Sequence, residues 1–133
     1  MENREIKFRA WDSHKKKYRE DFAITSWGLP FDFYEGCFDE GQMYERERYV
    51  LEMFTGLKDK NGTEIYEGDI LHIWSTFYEQ NMPIAKVFWN TTLSKFDIKV
   101  PTGLYHPWLS NAHRKGWNLE IIGNIHQNKE LMQ

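Results

Sequence analysis

The stretch Thr55-Gly56-Leu57-Lys58-Asp59-Lys60-Asn61-Gly62-Thr63-Glu64-Ile65-Tyr66-Glu67-Gly68-Asp69-Ile70-Leu71-His72-Ile73 decides how the chain reads. Asn61-Gly62 is a pair that takes positive φ at little steric cost, so a type I′ hairpin turn is predicted there. Ile65-Tyr66 follows as a short strand, and Glu67-Gly68-Asp69 makes a second tight reversal. From Ile70 to Phe77 the chain continues as a strand. Leu71 and Ile73 share one of its faces and Ile70, His72 and Trp74 the other, so both faces are expected to be covered. Two reversals this close together leave room only for short strands.

Working outward, Glu79-Gln80-Asn81-Met82-Pro83 reads as a loop, and Ile84 to Trp89 as a strand. Phe96, Ile98 and Val100 alternate with Lys95, Asp97 and Lys99, with Asn90 to Ser94 as the hairpin connection. Pro101 to Gly116 has no period and is expected to be a loop, whereas Leu119 to Ile125 makes a last strand before a polar tail, Gln127 to Gln133. Towards the N-terminus, Met43 to Phe54 has Glu, Arg, Leu and Met content that favours a helix, but the alternation of Tyr49, Leu51 and Met53 with Arg48, Val50 and Glu52 weights the reading towards a strand. Ile6, Phe8 and Ala10 alternate with Lys7, Arg9 and Trp11, Asp12-Ser13-His14 turns, and Tyr18, Phe22 and Ile24 form the returning strand. No helical period persists. The predicted class is mostly β, with short antiparallel strands and hairpins, which a small barrel closes without leaving exposed edges.

The length of 133 residues fits a single domain, 1–133, divisible into an N-terminal β subdomain (1–54) and a barrel (55–128). Twenty-two aromatic residues, 17% of the chain, supply much of the apolar area, and most are read as core. Trp74, Trp89, Trp108 and Trp117 are expected there. A net charge of -3 argues against wholesale attraction to phosphate backbones. Cys37 is the single cysteine, which excludes an intramolecular disulfide and a thiolate zinc cluster. Met1-Glu2-Asn3-Arg4-Glu5 leads into a charged alternating segment, so neither a secretory signal nor a membrane span is expected, and the protein is read as cytoplasmic.

No catalytic constellation emerges. Aligning Gly62 with the glycine of a calcium loop puts Leu57 at the first ligand position and Gly68 at the last, where a carboxylate is required. His14, His72, His106, His113 and His126 are dispersed, and isolated histidines are usually surface or hydrogen-bonded groups. Cys37 has no base beside it. No catalytic residue, metal site or cofactor is therefore expected, and the chain is read as a non-enzyme. A metal-dependent hydrolase using His106, His113 and scattered acids is a remote alternative.

Two surface features remain. From Glu20 to Glu45 the chain carries seven acids and no Lys or Arg, with Trp27, Phe31, Phe33, Tyr34 and Phe38 among them. Rings beside unrelieved negative charge suit a protein partner with a basic face or a second copy of the chain. Basic and aromatic residues interleave at Lys15-Lys16-Lys17-Tyr18-Arg19 and His113-Arg114-Lys115-Gly116-Trp117. With Lys58 and Lys60, the lysines Lys15, Lys16, Lys17 and Lys115 and Arg114 offer a weak nucleic-acid surface, disfavoured by the overall acidity.

Three segments together carry a resemblance: Ile6-Lys7-Phe8-Arg9-Ala10-Trp11-Asp12, Thr55 to Gly62 with Ile65-Tyr66-Glu67-Gly68-Asp69-Ile70, and Ile122-Gly123-Asn124-Ile125-His126-Gln127-Asn128. In order and spacing they resemble the YopX-like family of phage and prophage proteins. That resemblance implies a β-rich fold containing an SH3-like barrel, a phage or prophage origin, and expression in the cytoplasm of the bacterial host. It implies no activity, because the family is one of unknown function. The expected role is that of a non-enzymatic accessory protein, a β module that binds a protein or itself and no membrane.

Overall fold

The structure, a computed structural model, describes residues 3–19, 22–28, 30–32, 48–75, 80–101, 105–106 and 117–133, with the backbone alone at 30–32, 80–83 and 105–106. It is mostly β and antiparallel throughout. The chain forms two compact units, Lys7–Met53 and the combination of Met1–Ile6 with Phe54–Gln133.

In the unit 7–53, β1 (Phe8–Asp12) pairs with β2 (Lys17–Arg19) and with the first half of β5 (Tyr49–Lys58). Ala10, Trp11 and Asp12 are all buried, so both faces of β1 are covered at its far end. Trp11 meets Tyr18 edge-on at 5.1 Å between ring centroids. The expected returning strand is shorter than the sequence suggests. Phe22–Ile24 forms β3 and pairs with β4 (Pro30–Asp32) in a hairpin of its own. Ile6 lies outside β1 and is exposed.

In the other unit, the second half of β5 pairs with β6 (Glu64–Tyr66). A five-stranded sheet follows, in the order β10 (Tyr105–His106), β9 (Lys95–Lys99), β8 (Gln80–Asn90), β7 (Asp69–Ser75), β11 (Asn118–Asn124). Its core is Ile65, Leu71, Ile73, Ala85, Val87, Ile98, Val100 and Leu119, with Leu57, Phe96, Trp117 and Ile121 half-buried against it. Leu71 and Ile73 face this core as their alternation predicts. Register shifts in β5–β6, β7–β8 and β7–β11 bend the strands, as bulges do. The antiparallel order and this bending are compatible with the small barrel that the resemblance implies.

Several local expectations change. The β5–β6 turn is not type I′, because Asn61 keeps a negative φ and only Gly62 is left-handed, at 83°. Asp59 N–H donates to Thr63 O at 2.8 Å, which encloses the three-residue loop Lys60-Asn61-Gly62 of a bulged hairpin. The predicted loop at Glu79–Pro83 is strand from Gln80 onward, with Pro83 beside the shift between Leu71 and Ile73 in the β7–β8 ladder. The expected loop Pro101–Gly116 contains β10, and the polar tail contains a 3-10 helix, Lys129–Met132.

Candidate functional site

Five polar side chains of the motif segments, Thr55, Asp59, Asp69, Asn124 and Asn128, turn onto backbone. Asp59 Oδ1 accepts the N–H groups of Asn61 (2.9 Å) and Thr63 (3.0 Å), and its Oδ2 accepts Ile121 N–H at 3.2 Å. With Lys60 N–H donating to Leu119 O at 2.8 Å, the loop is moored to β11. Thr55 Oγ1 donates to Ile65 O (2.7 Å) and accepts Leu57 N–H (3.1 Å), replacing ladder bonds across the bulge at Gly56, whose φ is 86°. Asp69 Oδ2 accepts Tyr66 N–H at 2.8 Å. Asn124 Oδ1 accepts the N–H groups of His126 and Gln127, each at 3.0 Å. Gly123 is required because a Cβ there would lie 2.5 Å from Asn128 Oδ1, which accepts Asn124 N–H.

In the unit 7–53, the corresponding group is Asp12, fully buried at the end of β1. Its Oδ1 accepts His14 N–H (3.0 Å), Lys15 N–H (3.1 Å) and Arg48 Nε–H (3.0 Å), and Oδ2 accepts Arg48 Nη2–H at 3.0 Å. Burial pushes this carboxyl up, but the Arg48 guanidinium and the Lys15 and His14 amides outweigh it and hold the pKa at about 2. Glu52, also buried, accepts Arg9 Nε–H at 2.6 Å and the Tyr18 hydroxyl at 3.1 Å. These carboxylates are committed to structure.

Trp27 stands out on the surface. Thr25 to Gly28 connects β3 to β4, with Gly28 N–H donating to Thr25 O at 2.9 Å and Gly28 in the left-handed region at 83°. The reversal lifts Trp27 to its tip, where it is 65% exposed. Phe31 is placed by its backbone in β4, opposite Ala23. Phe33, Tyr34 and Phe38 lie outside the described residues, as do Cys37, Trp108, Arg114, Lys115 and His113.

Lys15, Lys16 and Lys17 are exposed at the β1–β2 turn in one unit, and Lys58 and Lys60 belong to the other. Lys58 and Lys60 flank a shallow cleft of about 190 Å³ with Asp59, Trp117, Asn118 and Leu119. Ligand pockets for drug-sized molecules run from roughly 300 Å³ upward, so one planar ring or side chain is the most it admits. Lys60 is engaged already: its Nζ is 4.6 Å from the Trp74 ring centroid and 3.5 Å from Glu120 Oε2. Trp74 in turn stacks on His72 at 4.9 Å.

Trp74 and Trp117 are half-buried, but Trp89 is 41% exposed, contrary to its expected core position. It packs edge-on against Phe96 at 4.9 Å where the β8–β9 hairpin outruns the core, beside exposed Leu93. Alternation places Trp89 on the core face, yet it cannot show where that face ends. Among the described residues no group of three or more His, Cys, Asp or Glu is arranged to hold a metal ion. No helix among them is long and apolar enough to cross a membrane.

These observations define an antiparallel β protein whose motif residues build turns and whose surface offers rings and lysines. It belongs to the YopX protein family, whose family model matches residues 7–133. Among solved structures it is similar to protein EF1440 from Enterococcus faecalis, at 25% identity and a TM-score of 0.65, covering 98% of this chain and 100% of that one. It is also similar in fold to protein yopX from Bacillus subtilis, at 22% identity and a TM-score of 0.58, covering 95% and 97%. Among curated proteins no match is found.

Proposed function

We propose that this chain is a phage or prophage accessory protein that acts without catalysis in the host cytoplasm, binding a protein partner or a second copy of itself through the Trp27 turn. The observation that carries this reading is Trp27, a large ring held at 65% exposure by a tight reversal. Interface hot spots are enriched in tryptophan because one ring buries large area at low entropic cost. Trp27 also lies within the segment Glu20 to Glu45, with its seven acids and no Lys or Arg, which favours a partner with a basic face. A nucleic-acid role through Lys15–17, Lys58, Lys60, Arg114 and Lys115 has less support, since Lys60 is held by Trp74 and Glu120.

The test is an affinity pull-down from host lysate with sedimentation of the purified protein. Trp27→Ala should weaken capture or self-association by about 2 kcal/mol, roughly thirtyfold, without changing the melting temperature. A monomer that retains nothing, or a variant that behaves like the parent, contradicts the reading.

A further inference from the structure

On the face of the five-stranded sheet opposite the core, Lys86 of β8 stands directly across the ladder from Lys99 of β9. Opposed residues hold their Cβ atoms about 4.5–5.5 Å apart, and like charges so placed weaken the pairing. Both side chains are half-buried. Among the described residues, neither ammonium has an ion-pair or hydrogen-bond partner.

Among the described residues, the acids on this face and on the element packed against it do not pair with either lysine. Asp97, two residues from Lys99 on the same face, receives Asn90 Nδ2–H at 3.0 Å on Oδ2, while its buried Oδ1 faces Lys95 Nζ at 3.5 Å and accepts no hydrogen bond. The 3-10 helix that packs on β8 carries Glu130, which pairs with neither lysine. Beyond Lys86 the same row continues through Ile70 to Gly123, which offer no side-chain acceptor.

Local charge points the same way. Residues 54–133 hold eight Lys and Arg against eight Asp and Glu, so the acidic excess of the chain lies in the first 53 residues. Among the described residues of 54–133, six lysines stand against seven acids, and three of those acids, Asp59, Asp69 and Asp97, are buried with hydrogen bonds, which leaves six lysines against four acids outside these buried positions.

We propose that Lys86 and Lys99 together form a binding site for a phosphate dianion, free or carried as the terminal group of a nucleotide. Two lysines at directly opposed ladder positions are balanced by one group with about two negative charges and three acceptor oxygens. A lone carboxylate neutralises only one of them. This site is independent of the Trp27 turn and contains none of Lys15–17, Lys58 or Lys60.

Titration calorimetry, with amide chemical shifts of β8 and β9, tests it using inorganic phosphate, a nucleoside 5′-monophosphate and the unphosphorylated nucleoside. Phosphate and the monophosphate should bind more tightly as pH rises through loss of the second proton, about 6 for the monophosphate and higher for inorganic phosphate, so the two affinities are compared above both transitions. Tighter binding of the monophosphate identifies a nucleotide as the ligand, and equal binding identifies free phosphate. Lys86→Gln with Lys99→Gln should weaken binding by about tenfold or more. Lys86→Glu replaces the repulsive pair with an attractive one, so it should melt at or above the parent temperature while abolishing phosphate binding. The proposal is overturned if these variants bind like the parent, if affinity ignores pH, or if a glutamate-rich peptide competes as well as phosphate does.

Discussion

The β1–β2 turn and the β8–β9 turn lie in different units yet are built alike. Each spans four residues between paired positions, Asp12↔Lys17 and Asn90↔Lys95. In each, a side-chain Oδ1 just before the loop accepts the N–H groups two and three residues on: His14 and Lys15 for Asp12, Thr92 and Leu93 for Asn90. Each ends on a non-glycine residue in the left-handed region, Lys16 at 55° and Ser94 at 51°. The difference is the remaining side-chain atom. Asp12 Oδ2 binds the Arg48 guanidinium, whereas Asn90 Nδ2 donates to the buried carboxylate of Asp97. A local cap chooses the turn, and the spare atom of the cap decides what the turn is anchored to.

The sharpest break comes from removing the charged cap. Asp12→Ala removes the buried carboxylate that accepts two hydrogen bonds from the Arg48 guanidinium and two from backbone amides, and should cost about 3 kcal/mol in urea unfolding at neutral pH. Because the folded pKa of Asp12 lies near 2, below its ordinary 3.8, its stabilisation is full above about pH 5 and is lost as pH falls towards 2. The variant should lack that part of the acid limb, so parent and variant should converge in stability at the acid end.

Exchanging the cap chemistry in the other turn sharpens the contrast. Asn90→Asp keeps the acceptor for Thr92 and Leu93 but sets a carboxylate against Asp97, at a position where the donor now sits 3.0 Å away. It should cost about 2 kcal/mol at neutral pH. Protonation of either carboxyl relieves the repulsion, so this loss should shrink on acidification because the variant recovers, whereas the loss in Asp12→Ala shrinks because the parent falls. A pH series of unfolding midpoints distinguishes the two.

The smallest effect lies in the shared left-handed position. Lys16→Gly and Ser94→Gly should each raise stability by about 0.5 kcal/mol, the gain in backbone freedom at positive φ exceeding the entropy lost to glycine. Thermal melts of the two single variants and the pair should show additive shifts.

Much of this architecture was readable from residue order. Alternation places Leu71 and Ile73 towards the core, and Asp12 and Asn90 mark their reversals. Asn61-Gly62 misleads because the Asp59 carboxylate captures the amides of Asn61 and Thr63 and widens the loop to three residues. The strand at Gln80–Asn90 is obscured by Pro83, which sits where the ladder slips. Trp27 could be read as a surface ring because Gly28 forces a turn beside it. Lys86 and Lys99 could not be read as neighbours, since their meeting depends on a four-residue loop at 91–94 that fixes the register.

The mooring of the Asp59 loop on β11 has one more consequence. In the five-stranded sheet β11 is an outer strand, and its outward Leu119 carbonyl and Ile121 amide would otherwise be free to template another chain. Lys60 and Asp59 occupy both. The motif at Asp59–Gly62 therefore guards against polymerisation as well as shaping a turn, and a chain weakened there would lose solubility before it lost its remaining strands.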